Sequence, residues 1–395
     1  MVPVGRWADS RGRELLYLCG LGLFSLASAA CALAPTLGWL VAGRGFQAVG
    51  AALLQANSVA LVVLSVPASR VRSSLGIQGA AQALGLALGP TLGGLLVDAF
   101  GWRSVFWVNV PVGIVAILVG YFLLPRSRDL NPGRGSDAAG FVLLAGVIVS
   151  GLLVLSGLSG MPLPSAAVLG LSVVAIVTAM MSWRAEARAV APLVDINLLR
   201  RGGLGLSLAG ALLAYLLLFA PLVLYPSVFA TWGMSTAAGG LVLSCLPAGF
   251  ALAAVGANVL HLRASNHHRV AVGAMGVFAC VVANIALWRS PGLVAVLLLL
   301  MGAFLGLVIP ANNATVMAAV PASASAVTGG MVNVARALGT AFGVAVAAMG
   351  LHVAELHNWV GPQVVLGTMA ACSIALAATT LRQPPVSGTQ RPSTP

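Results

Sequence analysis

Apolar runs of about twenty residues recur from one end of this chain to the other, and few folds can accommodate them. In lipid every backbone amide and carbonyl must be satisfied within the protein, so only helices and closed barrels span a bilayer. The runs lack the two-residue alternation of barrel strands, which leaves helices. With 59% hydrophobic and 7% charged residues and a mean hydropathy of +1.02, the chain has too little polar surface to be a set of soluble domains. About twelve spans are predicted, near 15–35, 38–66, 73–97, 104–124, 138–159, 165–183, 204–230, 236–260, 270–288, 292–320, 325–352 and 363–381.

The charge pattern orients these spans. The net charge is +12, and all 20 basic residues are arginine. With 47 glycines, this composition points to a high-GC bacterial genome. A basic balance of this size can mark a nucleic-acid binder, but here the arginines fall in alternate loops. Arg70 and Arg72, Arg126, Arg128 and Arg134, Arg184, Arg188, Arg200 and Arg201, Arg263 and Arg269, and the tail residues Arg382 and Arg391 share one side with residues 1–13. Only Arg103 and Arg289 fall on the other, which is the positive-inside pattern of a membrane protein. The predicted orientation has both ends in the cytoplasm and no nucleic-acid partner. Residues 1–13 lack the apolar core of a signal peptide. The five cysteines lie in apolar runs without metal-binding spacing, so no metal site or disulfide is expected.

The stretch from Gly76 to Gly113 carries the most specific pattern. Gln78, Gln82, Gly85, Gly89 and Gly93 share one helical face, smooth enough for a neighbouring helix to approach closely. Pro90 bends the helix there. In the preceding span Arg44, Gln47, Gln55 and Ser58 share a face and Asn57 lies on another. A charge within a span marks a cavity or a functional pair by default, although an arginine near a helix end can also snorkel to the interface.

Gly85, Gly89, Pro90, Gly93 and Gly94 resemble the antiporter motif of major facilitator drug exporters, and Trp102, Arg103, Phe106, Asn109, Pro111 and Gly113 resemble the signature that follows it. Gly5, Asp9, Gly12 and Arg13 resemble the superfamily's cytoplasmic loop motif, with departures at Trp7, Ser10 and Glu14. Arg44, Gln47, Gly50, Ala51 and Ala52 resemble its helix-four motif, with Ala48 in place of the first glycine. Together these resemble the fourteen-span drug:proton antiporters. That implies an all-α major facilitator fold, with an N-terminal bundle over 1–124, two additional central helices with connectors over 125–203, a C-terminal six-helix bundle over 204–382 and a disordered cytoplasmic tail over 383–395. In the family the loop motif joins the second and third helices. The resemblance therefore implies that two spans are absent, and we expect the in-frame DNA upstream of Met1 to encode them, the first carrying an acid.

The function implied is proton-driven export of amphipathic organic compounds from a bacterial inner membrane, by one chain in the lipid bilayer. It needs no cofactor beyond the proton gradient. Proton transfer is linked in the family to the arginine matched by Arg44; Asp98 and Arg336 join it as coupling candidates. None of the eight acids lies at mid-span. Gln47, Gln55, Gln78, Gln82, Tyr215, Asn312 and Asn333 are the candidates for a substrate cavity, in which Asn333, Arg336 and Thr340 share a helix face. For any one asparagine an interhelical hydrogen bond is the commoner role. A specific metabolite exporter of the same fold and a shortened chain that folds without transporting are the alternatives. No nucleotide-binding loop or HExxH motif is present, and the histidines fall on opposite sides of the membrane, so no enzyme activity is expected.

Overall fold

The computed structural model describes residues 12–67, 70–124, 138–158, 164–188, 203–259, 265–287, 290–320, 325–356 and 361–381. Every regular element among them is an α-helix. In chain order these are α1 (Arg13–Ala32), α2 (Leu37–Ser65), α3 (Val71–Phe100), α4 (Ser104–Trp107), α5 (Asn109–Leu123), α6 (Ala138–Leu158), α7 (Ser165–Arg188), α8 (Leu204–Thr231), α9 (Thr236–Val259), α10 (Asn266–Leu287), α11 (Pro291–Ala318), α12 (Ser325–Leu356) and α13 (Gly361–Leu381). The short α4 runs into α5, so that Ser104–Leu123 crosses as one span. The predicted spans and the observed helices agree within a few residues.

Local chemistry sets the helix ends. The hydroxyls of Thr36, Ser235, Ser265 and Ser290 each accept the amide three residues on, from Trp39, Ala238, His268 and Leu293, at 3.2–3.3 Å. Each thereby satisfies one of the amides that a helix start leaves unpaired. Pro291 at the first position of α11 supplies a preset φ where no amide is needed. At the far end of α3, Gly101 takes φ 77°, a backbone region that other residues enter at a cost.

Contacts divide the chain into two compact units. The first is Met1–Val142 with Phe229–Ser244, and the second is Leu143–Val228 with Cys245–Pro395. The contact division departs from the span-based bounds because Phe229–Ser244 packs on α3. In the first unit α1 crosses α2 where Gly20 meets Gly50. A Cβ on Gly50 would lie 2.8 Å from the Phe24 amide nitrogen and 3.0 Å from the Gly20 carbonyl oxygen. On the other side of α1, Gly113 of α5 leaves room only for the Ser25 side chain.

Backbone contacts of the same kind knit the second unit. A Cβ on Gly249 would strike the Leu299 carbonyl, and one on Gly302 the Leu246 carbonyl, so α9 and α11 touch with no side chain between them. Gly339 and Gly343 of α12 press in the same way on the carbonyls of Leu212 and Leu216 in α8. Around these contacts lie fully buried Leu217, Leu218, Tyr225, Leu298, Met301 and Met369. Large apolar side chains also point outward, among them Ile114, Val115, Leu118 and Phe122 of α5 and Leu169, Ile176 and Met180 of α7. A soluble protein does not expose apolar area on this scale; a bilayer covers it. Of the cysteines, Cys31 and Cys280 are buried, whereas Cys19 is exposed.

The tight crossings give a direct prediction. Gly302→Val forces a methyl group into the Leu246 carbonyl and is expected to cost at least ~1–3 kcal/mol, as overpacked cores do. Purified protein should show a clear fall in Tm. Val115→Leu, on the outward face of α5, should leave Tm unchanged. A wild-type Tm in Gly302→Val would mean that α9 and α11 are not in backbone contact.

Candidate functional site

Helical spacing brings Arg44 and Gln47 together on α2. The Arg44 guanidinium donates from Nη1 to Gln47 Oε1 at 2.6 Å, and Gln47 Nε2 donates to Ser28 Oγ of α1 at 2.7 Å. Ser28 Oγ in turn donates to the Phe24 carbonyl at 2.7 Å. Gln47 is buried while Arg44 is exposed, its guanidinium 5.9 Å from the centroid of the Phe106 ring. Gln55, on the same helix, is exposed. Asn57 is fully buried, with Nδ2 donating to the Leu53 carbonyl and Oδ1 lacking a partner among the described residues.

The glycine-rich helix α3 meets the Thr236–Ser244 segment of α9 along residues 91, 94 and 98. The hydroxyls of Thr91 and Ser244 lie 2.6 Å apart, and the Thr91 amide donates to Ser244 Oγ at 3.1 Å. This amide follows Pro90, where the helical hydrogen-bond pattern is interrupted. A Cβ on Gly94 would come within 2.5 Å of the Thr236 carbonyl, and one on Gly240 would strike the Pro90 carbonyl. Asp98 closes the contact. Its Oδ1 accepts the Thr236 amide at 3.1 Å and its Oδ2 the Ala237 amide at 2.7 Å. The exposed carboxylate thus caps the positive end of α9.

Close approach therefore falls one residue away from the predicted face. A Cβ on Gly85, Gly89 or Gly93 would meet no atom of the described residues within 4 Å. Gln82 is exposed, and Gln78 reaches a cavity within the first unit. That cavity has a volume of about 310 Å³ and is lined by Tyr17, Ser58, Ser65, Ser74 and Gln78 over a leucine and valine floor. Of the loop motif, Gly12 and Arg13 are described, Gly12 with φ 102°. Gly5 and Asp9 lie outside the described residues.

In the second unit Tyr215 of α8 and Arg336 of α12 meet. The guanidinium carbon stands 4.7 Å from the ring centroid. Asn333 is half-buried one turn before Arg336. Asn312 is buried, and its Nδ2 donates to the Ser207 carbonyl at 2.9 Å, tying α11 to α8. Sequence reasoning passed over Tyr225, whose hydroxyl donates to Asn284 Oδ1 at 2.7 Å in the core. It also passed over Ser28, Thr91 and Ser244. A hydroxyl beside a helix proline or opposite a glycine is a weak signal that could have marked Thr91.

The Thr91–Ser244 contact can be tested by chemistry. The Thr91→Cys/Ser244→Cys pair should form a disulfide under mild oxidation, read as a gel-mobility change after cleavage of an engineered protease site between them. Failure to cross-link would separate α3 from this end of α9.

Three comparisons bear on identity. The family model for the Major Facilitator Superfamily matches residues 1–238. "Multidrug resistance protein Stp" of Mycobacterium tuberculosis is 32% identical over 347 residues, covering 86% of this chain and 64% of its own length. "Methylenomycin A resistance protein" of Bacillus subtilis is 27% identical over 392 residues, covering 95% of this chain and 80% of its own. Among solved structures, a POT family transporter in complex with 5-aminolevulinic acid aligns with a TM-score of 0.68 at 15% identity, over 97% of this chain and 84% of that one. The chain spans 53% and 64% of the length of the first curated relatives it matches. The matched model extends over more than half of the chain. This multi-pass membrane protein belongs to the Major Facilitator Superfamily.

Proposed function

We propose that the protein is a secondary exporter of amphipathic organic compounds in the bacterial plasma membrane. It exchanges substrate for protons by alternating access, with its C-terminus in the cytoplasm and one chain as the working unit. Relatives named for multidrug and methylenomycin A resistance support the substrate class. The observation that carries the mechanism is the contact of α3 with the start of α9. Two glycines lay backbone on backbone there, and among the described residues hydrogen bonds from Thr91 to Ser244 and Gly240 and the Asp98 cap hold it. No side chain interlocks across Gly94 and Gly240, so the surfaces can part and re-form without repacking a core. A contact of that kind suits a joint that opens once per cycle.

Proton coupling falls in this reading to Arg44, Asp98 and Arg336, and substrate contact to Gln47, Gln55, Gln78, Gln82, Tyr215, Asn312 and Asn333. Arg44 is the sharpest case. Losing its charge removes the hydrogen bond that orients buried Gln47, while the α1–α2 glycine crossing stays intact.

The test is efflux of a fluorescent amphiphile from cells expressing the chain. Efflux should stop when a protonophore collapses the gradient. Arg44→Ala should lower efflux by at least about tenfold, the scale of one charge-assisted hydrogen bond, with membrane insertion unchanged. The Thr91→Cys/Ser244→Cys variant should lose efflux on oxidation and regain it on reduction. Protonophore-insensitive efflux would remove the antiport mechanism, and full efflux from Arg44→Ala would remove Arg44 from the machinery.

A further inference from the structure

The two arginines inside the spans, Arg44 and Arg336, carry the same sign, and no acid of the chain lies at mid-span to offset them. A charge at that depth is costly unless something compensates it. Arg44 stands exposed and gives a hydrogen bond to Gln47. Arg336 is half-buried in the second unit. It lies five residues into the candidate span Met331–Val353 of α12. A Cβ on Gly339, one turn further along α12, would lie 2.9 Å from Tyr215 Cβ. The partner that the described residues give Arg336 is thus an aromatic ring, which stabilises a cation without neutralising it.

The group is rich in donors and poor in acceptors. A guanidinium presents five N–H groups in a planar fork. The Tyr215 phenol beside it carries one O–H that can donate. Asn333, one turn earlier on α12, adds an amide NH₂. The support is rigid, because Gly339 and Gly343 set α12 directly on the α8 carbonyls of Leu212 and Leu216. A fixed, half-buried fork of donors with net positive charge complements a carboxylate or sulfonate and repels a cation.

We infer that Tyr215 and Arg336 form the charge-reading element of the transporter, and that its preferred substrates are amphipathic organic anions. The acidic group sits on the Arg336 fork and the Tyr215 hydroxyl, and an aromatic or apolar body follows along α8. The inference rests on the exporter reading for its biological meaning but stands on binding alone for its proof.

The experiment is equilibrium binding to the purified chain in neutral phosphatidylcholine nanodiscs. The probes are fluorescein, an anion, and rhodamine 6G, a cation of similar size and shape. Wild type should bind fluorescein at least about tenfold more tightly, the weight of one charge-assisted pair. Arg336→Gln should abolish that preference, while Tyr215→Phe, which keeps the ring but not the hydroxyl, should weaken fluorescein binding by a smaller factor. Equal affinity for the two dyes in wild type, a preference for the cation, or no binding of either overturns the inference. So does an undiminished anion preference in Arg336→Gln. Should Arg336→Gln not fold, Arg336→Lys decides instead: a retained preference with affinity weakened severalfold supports the fork, and unchanged affinity overturns it. Efflux of the same dyes from cells is read separately. Anion binding without efflux removes the exporter reading and leaves the site, whereas efflux without anion preference does the reverse.

Discussion

Backbone-to-backbone contact between helices is what the rest of this structure depends on. In lipid there is no hydrophobic force to press one apolar helix on another, because the acyl chains are as apolar as leucine. Association must come from close packing and from hydrogen bonds across the crossing. Gly50 of α2 against α1, Gly302 of α11 against α9, Gly249 of α9 against α11 and Gly339 of α12 against α8 each bring a helix so close that a single added carbon meets main-chain atoms. Dispersion at such range is small per atom pair and large in sum. The polar ties, from Asn312 to the Ser207 carbonyl and from Tyr225 to Asn284, then fix which helices are neighbours.

The contact of α3 with α9 uses the same materials for another purpose. Its glycines give proximity, but two of its hydrogen bonds end on the exposed carboxylate of Asp98. The crossing of α9 with α11 lies deep among Leu246, Leu298 and Met301. One helix thus takes part in a fixed crossing at one level and a looser one at another. Pro247 lies between Ser244, which meets α3, and Gly249, which meets α11. A proline there removes a backbone hydrogen bond where the two kinds of contact adjoin.

Much of the fold was legible because span length and apolar content are local properties of the chain. The motif residues of α3 were legible for the same reason. Which face of α3 is covered was not. Spacing places Gly85, Gly89 and Gly93 together, yet the covered glycine is Gly94, about 100° away around the helix. That choice depends on a helix start some 140 residues later. Asp98 illustrates it: the sequence shows an acid at a helix end, but not that its oxygens meet the amides of Thr236 and Ala237. Tyr215 and Arg336 were each legible as polar residues in apolar spans. Their meeting required α8 and α12 to be neighbours, which Gly339 and Gly343 arrange and spacing within one helix cannot reveal.

The hydrogen bonds that begin at Arg44 all run in one direction. Arg44 gives to Gln47, Gln47 gives to Ser28, and Ser28 gives to the carbonyl of Phe24. A proton wire needs each member to receive a proton on one side and release one on the other. Arginine has no lone pair to receive with, and an amide nitrogen is a poor relay at any physiological pH. The row is therefore electrically oriented but does not conduct. It fixes the side-chain amide of Gln47 with its oxygen toward the charge and its nitrogen toward α1. Whatever Arg44 contributes, it contributes as a stationary positive field at the surface of the first unit, felt by ions that move past it rather than carried by ions that move through it.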